Sequence, residues 1–201
     1  CGACGRMGRE IIKQLVKQPD MKLSAAIEAP DSPFLGKDAG AVAGVGKLGV
    51  KVESAKELPK VLKEKKPDVL VDFTRAEAAV ENVRIAAELG VPVVVGTTGF
   101  SAEQKKMLEE VISRNKIPAV ISPNMSVGVN VFFKLVSETA RMLGPDYEVE
   151  IVETHHHGKL DAPSGTALKA AKLIADALGM SEDLIKIGRP AGKQEKRGKH
   201  V

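Results

Sequence analysis

The chain has 201 residues, of which 43% are hydrophobic and 28% are charged, as is typical of a globular protein with one or two domains. No apolar run approaches the roughly 18 residues of a membrane span and no signal peptide opens the sequence, so we expect a cytoplasmic protein that does not bind a membrane. The formal net charge of +4 is small, and five phenylalanines with one tyrosine offer few rings for stacking bases. This argues against nucleic acid and favours an anionic small molecule as the ligand.

The chain begins with a glycine-rich segment that is typical of a dinucleotide-binding loop. Gly2, Gly5 and Gly8 form G-x-x-G-x-x-G directly before an amphipathic helical pattern. In such a loop the glycines allow a tight turn close to a pyrophosphate, whose charge faces the N-terminus of the helix. Residues 23–27 predict the next strand. It ends at Glu28, twenty positions after Gly8, where an acidic residue would bind the ribose hydroxyls.

Cys1 and Cys4 form a C-x-x-C pair inside this loop, a spacing that elsewhere marks a redox pair or half of a zinc site. We favour a packing role, because small side chains suit a tight turn and no second C-x-x-C completes a tetrahedral metal site. A strand normally precedes such a glycine loop. We therefore expect the sequence to be a fragment that lacks a strand of about five or six residues before Cys1.

Apolar runs and amphipathic helical patterns then alternate along the chain, which predicts an α/β fold with a Rossmann-like, doubly wound parallel sheet. The glycine-rich segment 30–49 is predicted to be an irregular excursion from this pattern. Further strands are predicted at 69–73, 91–95 and 117–121, and helices begin at capping-box patterns that start with Ser54, Thr74 and Ser101.

Small and polar residues follow the carboxyl ends of the predicted strands. Open α/β sheets bind ligands along that edge. Each segment alone could be turn chemistry, but five together favour a nucleotide crevice. The segments are the glycine loop, Glu28, Asp72-Phe73-Thr74, Gly96-Thr97-Thr98-Gly99 and Ser122-Pro123-Asn124-Met125.

Residues 150–167 carry the densest chemistry of the chain. An apolar run at 149–152 predicts a buried strand. A loop that leaves a strand is where functional residues collect, and histidine exchanges protons near neutral pH. We therefore predict a catalytic loop. Its ionisable residues are His155, His156, His157, Lys159 and Asp161.

The same segment leads into a helix whose first turn is suited to an anion. Pro163 predicts the first helical turn, and the backbone N–H groups of Ser164, Gly165 and Thr166 lack partners within the helix. Such a turn binds a carboxylate or a phosphate. Apolar residues recur at helical spacing up to position 178, and Gly179 predicts the end of the helix.

Two other interpretations of the loop are weaker. Consecutive histidines point in different directions, and no cysteine or regularly spaced carboxylate completes a tetrahedral set, so we predict no metal site. A charged side chain that is merely solvated is the alternative interpretation of Lys159. For His157, in contrast, we favour a structural hydrogen bond over a catalytic role.

The order of these motifs resembles the dihydrodipicolinate reductase family over nearly the whole chain. The family signature E-[IV]-x-E-x-H-x-x-x-K-x-D-x-P-S-G-T-A is met from Glu150 to Ala167. The motifs G-A-x-G-R-M-G, D-F-T, G-T-T-G-F and S-V-G-V-N match in the same order, beginning at Gly2, Asp72, Gly96 and Ser126. The resemblance implies reduction of 4-hydroxy-tetrahydrodipicolinate, via dihydrodipicolinate, to tetrahydrodipicolinate by NADH or NADPH in the diaminopimelate pathway of lysine biosynthesis.

The resemblance also implies roles for individual residues. His155 would be the acid/base residue and Lys159 a second proton donor and substrate contact. His156 and the amides of Gly165 and Thr166 would hold the carboxylates of this small dicarboxylate. The pairing of His155 with Lys159 argues against the alternative of a noncatalytic NAD(H)-binding sensor. The cofactor site would be lined by Gly2, Gly5, Arg6, Met7, Glu28, Phe73, Gly96, Thr97, Thr98, Ser122, Asn124 and Met125.

Ala29 departs from the family pattern. This position is often arginine in the family, where it accommodates the 2′-phosphate of NADPH, whereas the acidic Glu28 remains. We predict that NADH is used at least as well as NADPH, although Arg6 or Arg9 could compensate for the missing cation.

The C-terminal end is a second departure. After Arg189-Pro190 the sequence ends in a basic run, where family members continue with strands that complete the substrate domain and assemble a homotetramer. We therefore expect a dinucleotide-binding domain at 1–126 and a smaller α+β substrate and oligomerisation domain, incomplete here, at 127–201.

Overall fold

The structure is a computed structural model that describes residues 1–159 and 162–188. The chain divides into two units, of which the first comprises Cys1–Pro123 and the second begins at Asn124. None of the helices within the described residues has the length and apolar character that crossing a bilayer requires. Asp161 and the basic run from Arg189 lie outside the described residues.

The first unit contains five short parallel strands in two ladders. β1 (Ala26–Glu28) pairs with β2 (Val52–Ser54), with Ala26 opposite Val52. In the second ladder β4 (Val93–Val95) lies between β3 (Leu70–Asp72) and β5 (Ala119–Ile121). The four strands predicted in the first unit, at 23–27, 69–73, 91–95 and 117–121, are confirmed as β1, β3, β4 and β5, each shorter than predicted, whereas β2 was not predicted.

The first residues of the chain lie between these two ladders. The N-terminal nitrogen of Cys1 donates to the carbonyl of Val71 at 2.7 Å, and its carbonyl accepts from the amide of Phe73 at 3.2 Å. This is the pattern of a parallel neighbour of β3. On the other side Gly2 N donates to Ile27 O at 2.9 Å. The strands and the glycine loop therefore end at one edge, in the order β2, β1, residues 1–2, β3, β4, β5, which confirms the doubly wound arrangement.

The helices of the first unit cover this sheet. Val83 of α4 and Val93 and Val95 of the central strand β4 are at most 1% exposed, and Leu58 and Leu108 join them from α3 and α5. Burying each such side chain stabilises the fold by about 1.5–3 kcal/mol. The helices are α1 (Arg6–Leu15), α2 (Ala39–Ala43), α3 (Leu58–Lys65), α4 (Ala76–Glu88) and α5 (Ala102–Asn115), with a 3₁₀ turn at Ala55–Glu57.

Only one of the three predicted capping boxes is complete. Ser101 Oγ accepts from Gln104 N at 3.2 Å and Gln104 Oε1 accepts from Ser101 N at 2.8 Å, which confirms the box before α5. Ser54 instead caps the 3₁₀ turn, where its Oγ accepts from Lys56 N. The prediction for Thr74 is wrong, because its hydroxyl donates to Asp72 Oδ1 at 2.7 Å and α4 begins two residues later.

The segment 30–49 is not wholly irregular, since it contains α2. Asp38 begins this helix: its Oδ1 accepts from Ala41 N at 3.0 Å and from Leu48 N at 3.1 Å, and its Oδ2 accepts from Gly49 N at 2.8 Å. These backbone donors, Leu48 first, lower the pKa of Asp38. The helix was missed because its five small residues have no amphipathic pattern.

The second unit contains two packed helices, α6 (Val127–Leu143) and α7 (Gly165–Ala177), and a 3₁₀ turn at Glu182–Leu184. Phe133 and Ala140 of α6 and Ala171 and Ile174 of α7 are buried. Ser126 Oγ caps α6 by accepting from Val129 N at 3.4 Å. The described part of the second unit is therefore organised by one helix pair.

The buried strand predicted at 149–152 is wrong. These residues are irregular, and Val152 is 88% exposed. A strand needs a neighbouring strand to pair with its N–H and C=O groups, and the described part of the second unit contains no strand. An apolar run alone does not supply that neighbour.

Candidate active site

The glycine loop at the start of the first unit is shaped by two close approaches. Gly2 has φ +75°, and a Cβ added there would clash with the carbonyl oxygen of Phe73. A Cβ on Gly8 would overlap the carbonyl oxygen of Gly2. Both positions therefore need glycine.

The same loop leaves the start of α1 open. Gly5 is the N-cap, and no side chain among the described residues caps this end. Arg6 and Met7 form the exposed first turn, whose N–H groups have no acceptor within a helix. Such an end attracts an anion, and the close-packed glycines let a pyrophosphate approach the backbone. The residues present therefore fit a dinucleotide.

Glu28, at the end of β1, is hydrogen-bonded to this loop. Its Oε2 accepts from Cys4 N at 2.8 Å, and its Oε1 accepts from Ala29 N at 3.0 Å. Burial and the neighbouring Glu28 raise the pKa of the Cys4 thiol to about 11. Cys4 is thus a protonated thiol at neutral pH, which suits a packing role, and both Cys1 and Cys4 are free.

Two cations lie near this part of the loop. Arg9 Nε donates to Cys4 O at 2.7 Å, and its guanidinium lies 5.1 Å from the centre of the Phe34 ring. Lys37 Nζ lies 5.1 Å from the centre of the same ring. Both contacts are within cation–π range, so Phe34 holds the two side chains in place.

Asp72 connects the ends of β3 and β4. It is fully buried, and its Oδ1 accepts from Thr74 N at 3.1 Å, Thr74 Oγ1 at 2.7 Å and Thr97 Oγ1 at 2.7 Å. Its Oδ2 accepts from Asn82 Nδ2 at 2.8 Å. Asn82 was missed by sequence reasoning, although an amide on the buried face of α4 was a signal. Because the Thr97 hydroxyl is engaged with Asp72, the side chain of Thr97 serves the turn.

Phe73 and Gly96 meet where β3 and β4 end. Gly96 N donates to Asp72 O at 2.9 Å, and a Cβ on Gly96 would overlap the Phe73 ring. Thr98 is exposed just beyond. One strand further, Ser122 N donates to Val95 O at 3.0 Å. The structure thus places the predicted cofactor residues of the first unit along one sheet edge.

The last two predicted cofactor residues open the second unit. Asn124 Oδ1 accepts from Ser126 N at 2.9 Å, and Asn124 O accepts from Asn130 Nδ2 at 3.0 Å. These bonds set the turn into α6. Met125, within that turn, is 38% exposed.

Glu153 is a residue that sequence reasoning did not assign to the site. Its Oε2 lies 2.9 Å from His155 Nε2, and its Oε1 accepts from Ser164 N at 2.8 Å. Bonds from Ser164, then that from His155, lower the pKa of Glu153 to about 2. Glu153 is thus ionised at neutral pH, and it links the loop histidine to the residue that caps α7. Its place in the family signature, two positions before His155, was the available signal.

The other loop residues form a tight turn. Gly158 N donates to His156 Nδ1 at 3.2 Å, and Lys159 N donates to His156 O at 3.1 Å. Lys159 is half-buried. The structural hydrogen bond favoured for His157 does not form with any residue that the structure describes. No group of three His, Cys, Asp or Glu within residues 1–159 and 162–188 is arranged to hold a metal ion.

The start of α7 differs from the prediction by two residues. Ser164 is the N-cap, and its Oγ accepts from Ala167 N at 3.0 Å. Pro163 lies before the cap, so the prediction that it forms the first helical turn is wrong. Gly165 and Thr166 occupy that turn, where their N–H groups have no acceptor within the helix. An anion such as a carboxylate fits this end.

Comparisons with known proteins agree with these features. The family profile described as "Dihydrodipicolinate reductase, N-terminus" matches residues 1–125, and "Dihydrodipicolinate reductase, C-terminus" matches residues 128–200. The chain is 52% identical to the 4-hydroxy-tetrahydrodipicolinate reductase of Methanocaldococcus jannaschii over 200 residues, covering 100% of this chain and 72% of that relative. It is 53% identical to the enzyme of that name from Methanothermobacter thermautotrophicus over 178 residues, covering 89% of this chain and 65% of that relative.

A solved structure gives the same result. The dipicolinate-bound dihydrodipicolinate reductase from Paenisporosarcina sp. TG-14 superposes with a TM-score of 0.72 at 31% identity, covering 96% of this chain and 69% of that protein. The chain therefore spans about two thirds to three quarters of the length of these proteins, from 65% to 72%. On the matches of both family profiles and these identities, the chain belongs to the dihydrodipicolinate reductase family.

Proposed function

We propose that the protein reduces 4-hydroxy-tetrahydrodipicolinate, through dihydrodipicolinate, to tetrahydrodipicolinate in the diaminopimelate pathway of lysine biosynthesis. Its relatives carry the name of this reductase, and the similar solved structure binds dipicolinate. The observation that carries the proposal is His155, bonded by Glu153, in the same segment as the start of α7, where Gly165 and Thr166 have no acceptor within the helix for their N–H groups. A dicarboxylate that must gain a proton needs both.

The first unit would hold NADH or NADPH, which supplies the hydride when bound. The uncapped start of α1 and the glycine loop would bind the pyrophosphate, and Glu28 would bind ribose hydroxyls. Phe73 and Gly96 would meet the cofactor further along the sheet edge. The full set proposed to line the cofactor site is Gly2, Gly5, Arg6, Met7, Glu28, Phe73, Gly96, Thr97, Thr98, Ser122, Asn124 and Met125, with Thr97 acting through its backbone.

The second unit would bind the substrate and supply the proton. His155 would be the acid/base residue and Lys159 a second proton donor and substrate contact. His156 and the N–H groups of Gly165 and Thr166 would hold the carboxylates, since a helix start favours negative charge. The proposed domains are residues 1–126 for the dinucleotide and 127–201 for the substrate.

We further propose that NADH is used at least as well as NADPH. The residue after Glu28 is Ala29, so this position offers no cation to a 2′-phosphate. Arg9, which could compensate, uses its Nε to bond Cys4 O and packs on Phe34. Steady-state kinetics with both cofactors tests this, and a tenfold or greater preference for NADPH in kcat/KM overturns it.

A cytoplasmic homotetramer is the proposed state of the protein, on the basis of the family resemblance alone. Light scattering after size-exclusion chromatography measures the mass directly. A mass of one or two chains at micromolar concentration contradicts the tetramer.

The decisive experiment supplies 4-hydroxy-tetrahydrodipicolinate, made enzymatically, and follows the loss of NADH absorbance. We expect oxidation that depends on this compound. The alternative function, a noncatalytic NAD(H) sensor, instead predicts NADH binding by calorimetry without any oxidation. That outcome would overturn the reductase.

A further inference from the structure

Glu153 lies between the candidate acid/base residue and a fixed point of the backbone. One carboxylate oxygen, Oε2, is 2.9 Å from His155 Nε2, while the other, Oε1, accepts from Ser164 N at 2.8 Å. Ser164 is only 4% exposed and caps α7 through Ala167 N. The imidazole is thereby connected, through one carboxylate, to the start of the helix.

This geometry restricts the chemistry of the imidazole. An ionised carboxylate has no proton to donate, so His155 Nε2 must carry the hydrogen of the 2.9 Å bond. Neutral imidazole carries one N–H, and the hydrogen bond at one ring nitrogen sets the state of the other. Nδ1 is then the nitrogen that gains and loses a proton.

We propose that Glu153 is a positioning residue that fixes the tautomer and orientation of His155, so that Nδ1 exchanges the proton with the substrate. The inference rests on the proposed function, in which His155 is the acid/base residue. In the proposed reduction, the N–H bond at Nδ1 breaks, its electron pair stays on the ring and the substrate gains the proton. NADH or NADPH, when bound, would supply the hydride. Nε2–H remains bonded to Glu153 throughout.

The role resembles that of the orienting carboxylate in other acid/base sites, where a group that never touches the substrate decides which ring nitrogen is protonated. Ser164 anchors the carboxylate through its backbone N–H, and its side chain also stabilises the ionised form. The side chain of Glu153 is 28% exposed and that of His155 38% exposed, which leaves the ring accessible from solvent. Because the Glu153 side chain is partly exposed, a substitution can remove its carboxylate without removing a buried side chain.

The direct test is ¹⁵N NMR of the imidazole rings in the wild-type protein, Glu153→Ala and the near-isosteric Glu153→Gln. Signals of His155 are assigned by their loss in His155→Ala. We expect the wild-type neutral ring to be almost entirely the Nε2–H tautomer, and both variants to show a mixture of tautomers. Identical His155 signals in the wild type and in both variants overturn the proposal.

A matched control is Glu182→Gln. Glu182 is also a carboxylate bonded to α7, with Oε2 2.6 Å from Lys172 Nζ, whereas the described bond of the His155 ring is to Glu153. Its loss should leave the tautomer unchanged. A tautomer shift of equal size in Glu182→Gln means that the signal reports general loosening of α7, which also overturns the proposal.

Kinetics provides a second readout. Glu153→Gln should lower kcat roughly 10- to 100-fold with little change in KM for the substrate, less than the loss expected for a general acid itself. In a His155→Ala background the same substitution should have almost no further effect, because Glu153 acts through His155. Equal effects in both backgrounds contradict the proposal. Failure of the proposed reductase activity would appear instead as an inactive wild type, while the NMR result needs no turnover.

Discussion

Each unit contains a carboxylate that joins several of its predicted site residues, and the surroundings of the two carboxylates are opposite. Asp72 in the first unit is fully buried and accepts four hydrogen bonds from three residues. The side chain of Glu153 in the second unit is 28% exposed and bonds one imidazole and one amide. A buried carboxylate with every bond made fixes a scaffold, since losing any partner leaves an unsatisfied group. A half-exposed carboxylate with two bonds contributes less to the fold, and its loss is expected mainly to change the imidazole beside it.

The comparison predicts that removing the reactive group of the loop costs activity rather than stability. His155→Ala should lower kcat roughly 10²- to 10⁴-fold, as for other general acids and bases. The melting temperature and the affinity for NADH, measured by calorimetry, should stay close to wild type because the His155 side chain is exposed and its bond within the described part of the chain is to Glu153. An unchanged kcat would remove His155 from the mechanism.

The converse holds for Asp72. Asp72→Asn replaces one of the two acceptor oxygens by an NH2 group, which then faces the donor of Asn82 or those of Thr74 and Thr97. We expect a loss of about 3 kcal/mol in the free energy of unfolding. Urea unfolding followed by circular dichroism measures it. Glu88→Gln is the control, because it removes an exposed carboxylate bonded to Arg84 on the same helix α4 and should change stability by under about 0.5 kcal/mol. Equal losses in the two variants would abolish the distinction between the two kinds of carboxylate.

The contrast also separates what the sequence could predict from what it could not. The strands β3 to β5 and the capping box at Ser101 follow from patterns a few residues long, and they are confirmed. The Asp72 network joins residues 10 and 25 positions apart, which no local pattern connects. Thr74 is an example. The local pattern predicted that its hydroxyl caps a helix, whereas in the structure it donates to the buried carboxylate of Asp72.

In the second unit the missed features have the same cause. The apolar run at 149–152 predicted a strand, but pairing depends on a neighbour that local sequence does not specify. Glu153 bonds Ser164, which lies eleven positions later, and no local pattern connects residues so far apart. The roles predicted for the loop, proton transfer and anion binding, rest on the chemistry of histidine and lysine before a helix start, and they stay predictions.

A smaller effect, on the Michaelis constant for NADPH, is expected from a substitution of Ala29 in the first unit. Ala29→Arg places a cation beside Glu28, where a 2′-phosphate would lie, and one charge-assisted hydrogen bond is worth about 1.5–3 kcal/mol. We expect KM for NADPH to fall about tenfold while KM for NADH stays nearly constant. Ala29→Gln, similar in reach but uncharged, should leave both constants unchanged. Equal gains for both cofactors would place the effect elsewhere than on the phosphate.

The smallest effect concerns the acid stability of the loop. The pKa of Glu153 lies at about 2, below its ordinary value of 4.5, mainly because Ser164 and then His155 bond the ionised form. A depressed pKa stabilises the folded protein above pH 4.5, and this stabilisation is lost as the pH falls towards 2. Glu153→Gln should therefore flatten the decline of the melting temperature between these limits, while Glu182→Gln should leave it nearly unchanged because the described partner of that carboxylate is the exposed Lys172 side chain. A decline of unchanged slope in Glu153→Gln would mean that the carboxylate orients His155 without holding the start of α7, and the two carboxylates would then differ more sharply still.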